Sequence, residues 1–229
     1  MTIERTREIL AKHHRDGAWF ADLMRETYAG RFNEEFWNTW QEMIDPVVGE
    51  HPTFVDLGSG PALFLRDLRE RYPNARLVGV ECAPYMLEAM GELPDNCEIV
   101  DQDLHDPHLP LADDSVDAVV ASVVLHEMSQ PVRTMQEVLR CLKPGGRFYI
   151  LDWVRTPLQQ YIAAEAEEDR VFGSEISVDE LDDLFTHFIE HNRFSADDLA
   201  YMLEKTGYQV IEKSLLKEGR FARLIAQKS

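Results

Sequence analysis

From residue 52 onward the chain switches repeatedly between two hydrophobic periods. Five short runs, TFVDL, ARLVGV, CEIVDQDL, VDAVVASVV and GRFYILDW, are rich in β-branched and aromatic residues. They are mostly continuous in apolar character, as strands buried on both faces of a parallel sheet are. Between them, residues 62–72, 85–90 and 132–142 carry apolar side chains at helical spacing. Strand and helix in alternation predict an α/β fold with a doubly wound, mostly parallel sheet. Near the C-terminus YQVIEKSLL is followed by KEG and then RFARLIAQK. A turn that short joins antiparallel neighbours, so the sheet is expected to end with one reversed strand.

Helical segments flank this core. Residues 2–14, 17–28 and 33–48 have helical periodicity, and the third gathers Phe36, Trp37 and Trp40. Residues 1–50 are therefore expected to form a helical N-terminal cap on a domain spanning 51–229. After the fifth strand, 155–191 reads as two acidic helices inserted before a further helix. The second of the pair opens with the capping box Ser177–Glu180, and Ser195 with Asp198 caps the helix that follows, through Lys205.

Composition narrows the function. A length of 229 residues suits one domain with a sizeable core and a small appendage. A formal net charge of −19 would repel a phosphate backbone, which argues against nucleic acid and leaves a small or cationic substrate acceptable. The same charge could serve solubility alone. The three cysteines lack CxxC spacing, so neither a disulfide framework nor a zinc knuckle is expected. No apolar run approaches the roughly 20 residues of a membrane helix, and MTIERTREILAKHH lacks a signal-peptide core. A cytoplasmic location without membrane contact is the expectation.

The first strand ends in FVDLGSGPALFL. In open α/β sheets ligands sit at the carboxyl ends of the strands, where strand order reverses. Gly58 and Gly60 lack a Cβ and let a ligand approach the backbone. The helix beyond them begins with unpaired N–H groups. A nicotinamide fingerprint needs a third glycine where Leu63 stands, and no Gly-Lys-Ser/Thr follows for a P-loop. The second strand ends at Glu81, about 20 residues on, where an acid can take both hydroxyls of a ribose. The third ends in Asp101, Gln102 and Asp103, where an acid can accept from an exocyclic amine or simply face solvent.

The order of these pieces resembles the class I S-adenosylmethionine-dependent methyltransferases. The resemblance rests on VDLGSGPA (55–62), VGVECAPYML (78–87), VDQDL (100–104), DAVVASVVLHEMSQP (117–131), LKPGGRFYILDW (142–153) and FSADDLAYMLEKTGYQVIE (194–212). It spans roughly residues 50–229 and is nearest to the small-molecule branch, which includes quinone-biosynthesis enzymes. It implies a Rossmann-like sheet of seven strands, one of them antiparallel, and S-adenosylmethionine as cofactor. By that likeness Asp56, Gly58, Ser59 and Gly60 line the methionine end, and Glu81 holds the ribose. Cys82 and Met86 pack on the adenine, Asp103 accepts from its amine, and the Leu104 N–H faces the ring. Ser122 lies beside the methionine portion. Gln102, where glycine is frequent in the family, is counted with the cofactor-binding residues, with room for its side chain to crowd the site. LKPGG is expected to be a helix-to-strand turn with Gly145 and Gly146 structural.

Methyl transfer needs an aligned nucleophile and, for many acceptors, a base. His126 follows the fourth strand at the sheet's carboxyl edge and is the candidate base, or else a histidine that only bonds its own loop. Glu127 is a weaker candidate. The inserted segment lies where the family often covers its substrate, so Tyr161, Arg170, Phe172, His187 and His191 are candidate wall residues, with Trp37 from the cap. HFIEH at 187–191 fits the zinc-peptidase pattern H-x-x-E-H, but it sits in an insertion of an unrelated fold, and no metal is expected. The reading is a methyltransferase acting on a small molecule. The rivals are a cofactor-binding sensor or scaffold without catalysis, and a protein methyltransferase with an open acidic groove.

Overall fold

A computed structural model describes residues 2–14 and 16–229. Four helices come first: α1 (Ile3–His14), α2 (Gly17–Glu26), α3 (Tyr28–Arg31) and α4 (Glu34–Met43). The alternating region follows as β1 (Thr53–Leu57), α5 (Leu63–Arg71), β2 (Arg76–Val80), α6 (Pro84–Ala89), β3 (Cys97–Val100), β4 (Val116–Ser122), α7 (Val132–Cys141) and β5 (Leu142–Trp153). Next come α8 (Leu158–Glu165), α9 (Glu168–Val171), α10 (Val178–His191) and α11 (Ala196–Thr206), then β6 (Tyr208–Leu216) and β7 (Phe221–Lys228).

The seven strands lie in the order β3-β2-β1-β4-β5-β7-β6. Pairings from β3 to β5 are parallel, and β7 runs antiparallel to both β5 and β6. The one reversed strand is thus inserted between β5 and β6 and does not form the edge. After the short turn at Lys217–Gly219, β7 comes back along β6 and pairs with β5 on its other side, which leaves β6 outermost. Strand order reverses between β1 and β4, and that crevice is where a ligand is expected.

Successive strand residues point to opposite faces, and both faces are buried. Val55, Leu57, Val119, Phe148 and Ile150 pack with Met135 and Val138 of α7 and Leu199 and Leu203 of α11. Phe54, Val120, Tyr149 and Leu151 pack with Phe64 and Leu68 of α5 and with Phe36 and Trp40 of α4. The fourth helix therefore belongs to the central core. Asn33 starts it by accepting from the Phe36 N–H, and the Trp40 indole, fully buried, donates to the Tyr72 hydroxyl at 2.6 Å. By contrast α1 and α2 dock outward on α6, with Leu10, Phe20 and Met24 around Ala83 and Met86.

The inserted segment contains three helices where two were expected, because Ala166 and Glu167 take extended backbone angles between α8 and the single turn α9. Both capping boxes form, at Ser177–Glu180 and Ser195–Asp198. LKPGG is taken into the beginning of β5, and the register jumps from the pair Val116–Leu142 to Ala118–Arg147. Gly145 has a φ of 80°, so this bulge needs the left-handed conformation that glycine supplies.

Candidate functional site

A cavity of about 890 Å³ opens at the carboxyl ends of β1, β2 and β4, walled on its far side by α1, α2 and α10. Its volume is in the upper range for small-molecule sites. At one end lies the glycine turn. Gly58 (φ 66°) and Gly60 (φ 50°) are left-handed, and a Cβ on Gly58 would stand 2.7 Å from Val124 Cγ2. Glu81 is buried beside the turn. Its Oε2 accepts from the Gly60 N–H at 2.9 Å, and its Oε1 accepts from the Cys82 and Ala83 N–H groups at 2.8 Å each. These bonds tie the end of β2 to the turn after β1. Burial still raises the Glu81 pKa above the usual carboxylate range, against those three N–H groups.

Asp56 is buried next to Glu81, and its carboxyl has no side-chain hydrogen bond among the described residues. Burial, then the neighbouring Glu81, push its pKa up to about 8, with Arg31 opposing. Arg31, at the end of α3, lines the cavity with its Nε buried and unpartnered. Its Nη1 donates to Thr27 Oγ1 at 2.9 Å. The hydroxyls of Ser59 and Ser122 are also buried without partners. A carboxyl group and a guanidinium that act on each other's titration have unused hydrogen-bonding capacity here, beside orphaned hydroxyls. That is a fit for a zwitterionic amino-acid group, since buried polar atoms are normally paired.

Farther along β2 and β3, Cys82, Met86, Gln102, Asp103 and Leu104 line the same cavity. Burial raises the Cys82 thiol to about 12, so it stays a neutral, soft contact. Gln102 turns away from crowding the site by bonding both the N–H and the carbonyl of His108. Asp103 is already engaged: Oδ1 accepts from the His105 N–H and ring, and Oδ2 accepts from Thr6 Oγ1 at 2.7 Å. Thr6 belongs to α1, whose Arg7 also donates to the Cys82 carbonyl at 2.8 Å and pairs with Asp101. The first helix is thereby pinned across this end of the cavity.

At the other end stands His126, 3% exposed. β4 stops at Ser122, and Val123 adopts a φ of 58°, a strained angle for a β-branched residue. The next three N–H groups, of Val124, Leu125 and His126, converge on Asp152 Oδ2 at the end of β5. Asp152 Oδ1 bonds His126 Nδ1 at 2.7 Å. This fixes the ring and its tautomer, leaving Nε2 with no partner among the described residues. Burial depresses the His126 pKa, but the charge and hydrogen bond of Asp152 outweigh it and hold it above the ordinary value. His191 stacks on Trp153 and meets His126 edge-on, with centroids 5.1 Å apart. Burial and its histidine neighbours push His191 down to about 3, so its ring is neutral.

The expected wall residues divide. His187 and His191 line the cavity, whereas Trp37, Tyr161, Arg170 and Phe172 do not. Trp37 packs against Trp40 and Phe64, under the Arg71 guanidinium at 4.1 Å. Tyr161 is buried behind α10 against Phe188 and His191. Arg170 stays in solvent, paired with Glu180, and Phe172 is exposed. Asp152, Arg31 and Thr6 carry roles that the reading of the sequence missed. Only Asp152 left a signal, as an acid closing an apolar strand. The other two reach the site through helix docking that no local pattern records.

Comparison with known proteins accords with this geometry. The model of a family described as "Methyltransferase domain" matches residues 55–150, the stretch that supplies the glycine turn, Glu81, Asp103 and His126. Residues 55–150 thus carry the sequence pattern of a methyltransferase domain. An arsenite methyltransferase from Halobacterium salinarum is 30% identical over 165 residues, covering 70% of this chain and 38% of that protein. A demethylmenaquinone methyltransferase from Clavibacter sepedonicus is 33% identical over 132 residues, covering 55% of this chain and 51% of that protein. The chain thus spans about half or less of these curated relatives. A solved S-adenosylmethionine-dependent methyltransferase from Aquifex aeolicus shares the fold, with a TM-score of 0.64 and 17% identity, over 93% of this chain and 99% of that one. Helices α1–α4 lie before the matched stretch.

Proposed function

We propose that this chain transfers the methyl group of S-adenosylmethionine to a small molecule held between His126 and the wall formed by α1 and α10. The observation that carries the reading is that one cavity has the glycine turn at one end and an oriented His–Asp pair at the other. The bound cofactor supplies an electrophilic methyl on a sulfonium; the chain's own residues do the rest. Asp56 receives the α-ammonium and Arg31 the α-carboxylate of the methionine portion. Gly58, Ser59, Gly60 and Ser122 let that portion lie against the backbone. Glu81 uses its remaining lone pairs on the ribose hydroxyls while its N–H partners hold it still. Cys82, Met86 and the Leu104 backbone flank the adenine. Asp103 reaches the adenine amine with what capacity Thr6 and His105 leave.

His126 accepts the proton of an O–H, N–H or S–H acceptor at Nε2, with Asp152 as the positioning residue behind it. Walls on both sides of the cavity suit a small acceptor better than a polypeptide. The names of the two relatives, an arsenite and a demethylmenaquinone methyltransferase, point the same way. Among the described residues no helix is long and apolar enough to cross a membrane, and the three cysteines are free and lie in separate places, as suits a reducing cytoplasm.

Methyl-labelled cofactor incubated with the protein and a panel of small hydroxyls, amines and thiols, beside a cell protein extract, tests the proposal. Label in a small molecule is the expected result. Label only on polypeptide would favour a protein acceptor, and tight cofactor binding with no labelled acceptor would favour a sensor.

A further inference from the structure

The wall opposite His126 holds a second group of side chains that methyl transfer does not require. α1 ends at His13 and His14, adjacent in sequence, with ring centroids 4.8 Å apart. His14 is buried, and its Nε2 lies 3.1 Å from Glu127 Oε1. Its Nδ1 is bonded to the Tyr85 hydroxyl, which orients the ring from behind. The His13 side chain is nine-tenths buried, and its Nδ1 lies 2.6 Å from Glu190 Oε2. Neither of those two atoms has the alignment of a hydrogen bond with a partner among the described residues.

We infer that His13, His14 and Glu127 form a binding site for a first-row divalent cation of the zinc class, with an open position facing the cavity. One ligand atom from each of the three lies within 4.8 Å of the others. Around a tetrahedral ion with bonds near 2.0–2.1 Å, ligand atoms stand about 3.3 Å apart. The set must therefore draw in by no more than about 1.5 Å, within reach of side-chain rotation. Two imidazoles and one carboxylate, with a fourth position left open, is the donor set of zinc sites that act on a substrate. Tyr85 behind His14 and Glu190 beside His13 stand where the outer partners of such ligands are found.

The surrounding field agrees. The carbonyl end of the twelve-residue α1 points at the cluster and favours positive charge. The two ligand-bearing elements, the end of α1 and the turn after β4, are far apart in sequence, so an ion here would fasten the first helix over the cavity. The H-x-x-E-H histidines of α10 are not the ligands. His187 Nδ1 bonds the Asp183 carbonyl and His191 stacks on Trp153. All three proposed ligands line the cavity, so the open position faces a bound acceptor and suits one with a lone-pair donor.

Metal binding can be measured without cofactor or acceptor, so its failure is separable from failure of the methyl-transfer reading. Untagged protein, stripped with a chelator and dialysed, is titrated with Zn²⁺ by calorimetry and with Co²⁺ in the visible range. One equivalent bound at micromolar affinity or tighter, with d–d bands from Co²⁺, is expected. His13→Gln, His14→Gln and Glu127→Gln should each weaken binding at least 100-fold, while His51→Gln, at an exposed position, should not. Melting curves of each variant in chelator separate loss of a ligand from loss of the fold: a variant that melts as the parent does and still loses the metal supports the site. No stoichiometric binding by the parent protein, or folded variants that bind as tightly as the parent, would overturn it.

Discussion

The two ends of the cavity are built differently. The glycine-turn end is made by neighbouring strands: β1 and β2 end side by side, and Glu81 bonds Gly60 across that gap. Its parts are local, ordered along the chain and dictated by backbone geometry. The far end is assembled from α1, the turn after β4, the tip of β5 and α10, which meet only through tertiary packing. The first end is a fixture of the sheet edge, and the second is where the proposed acceptor would lie. The same division separates what backbone rules dictate from what packing decides.

Breaking the fixed end should have the largest effect. Gly58→Val places a Cβ into Val124 at a backbone angle that valine resists. Cofactor affinity measured by calorimetry should fall by more than 100-fold. An unchanged affinity would mean that the turn does not hold the cofactor. At the variable end, His126→Ala should lower turnover about 100-fold or more and leave cofactor affinity nearly as it was. Asp152→Asn should lower turnover too, with His126 still present. Turnover equal to the parent's in His126→Ala would remove the base from the mechanism.

Asp56 links the fixed end to pH. Its folded pKa, pushed up to about 8 by burial and by Glu81, compares with about 3.9 for an unfolded chain. A raised carboxyl contributes stability that is complete below the unfolded value and is lost as pH rises through the folded one. Glu81, Arg31, Tyr28 and Cys97 are the charged or titratable groups coupled to it. Asp56→Asn should therefore melt higher than the parent at pH 8, and the gap should narrow toward pH 5. Cofactor affinity of the parent should rise from pH 6 to 8 as the carboxylate forms, and the variant should lose that slope. A parent whose melting and affinity are flat across this range would show that Asp56 is already ionised.

The aromatic residues of α4 give the smallest functional effects. Trp40→Ala should cost about 3–5 kcal/mol of stability, as deleting a fully buried indole does. Trp37→Ala, half out of the core beneath Arg71, should cost about 1 kcal/mol, a typical single substitution. Neither should change the KM for an acceptor, measured at a temperature where the variant is folded. A raised KM in Trp37→Ala would return that residue to the cavity.

Much of this was legible beforehand. The period switch at residue 52 announces the strands, and the spacing from Gly58 to Glu81 announces the crevice. His126 is found because it follows an apolar strand. The reversed strand was legible too, but its place inside the sheet was not, because strand order depends on which edge a hairpin docks against. Trp37, Tyr161 and Arg170 were misplaced for a related reason. A helix with several polar or aromatic faces does not declare which face meets the cavity, whereas the flanking glycines of a βα turn have little choice. Asp152 went unread because its role exists only once β4 and β5 lie side by side.

The most direct measurement is calorimetric titration of the purified protein with S-adenosylmethionine and its demethylated product, with NAD in parallel, repeated for Glu81→Ala. Micromolar binding of the first two, none of NAD, and loss of binding in the variant is the predicted result. No binding of either sulfur compound, or binding undiminished in Glu81→Ala, would contradict the placement of the cofactor at the glycine turn.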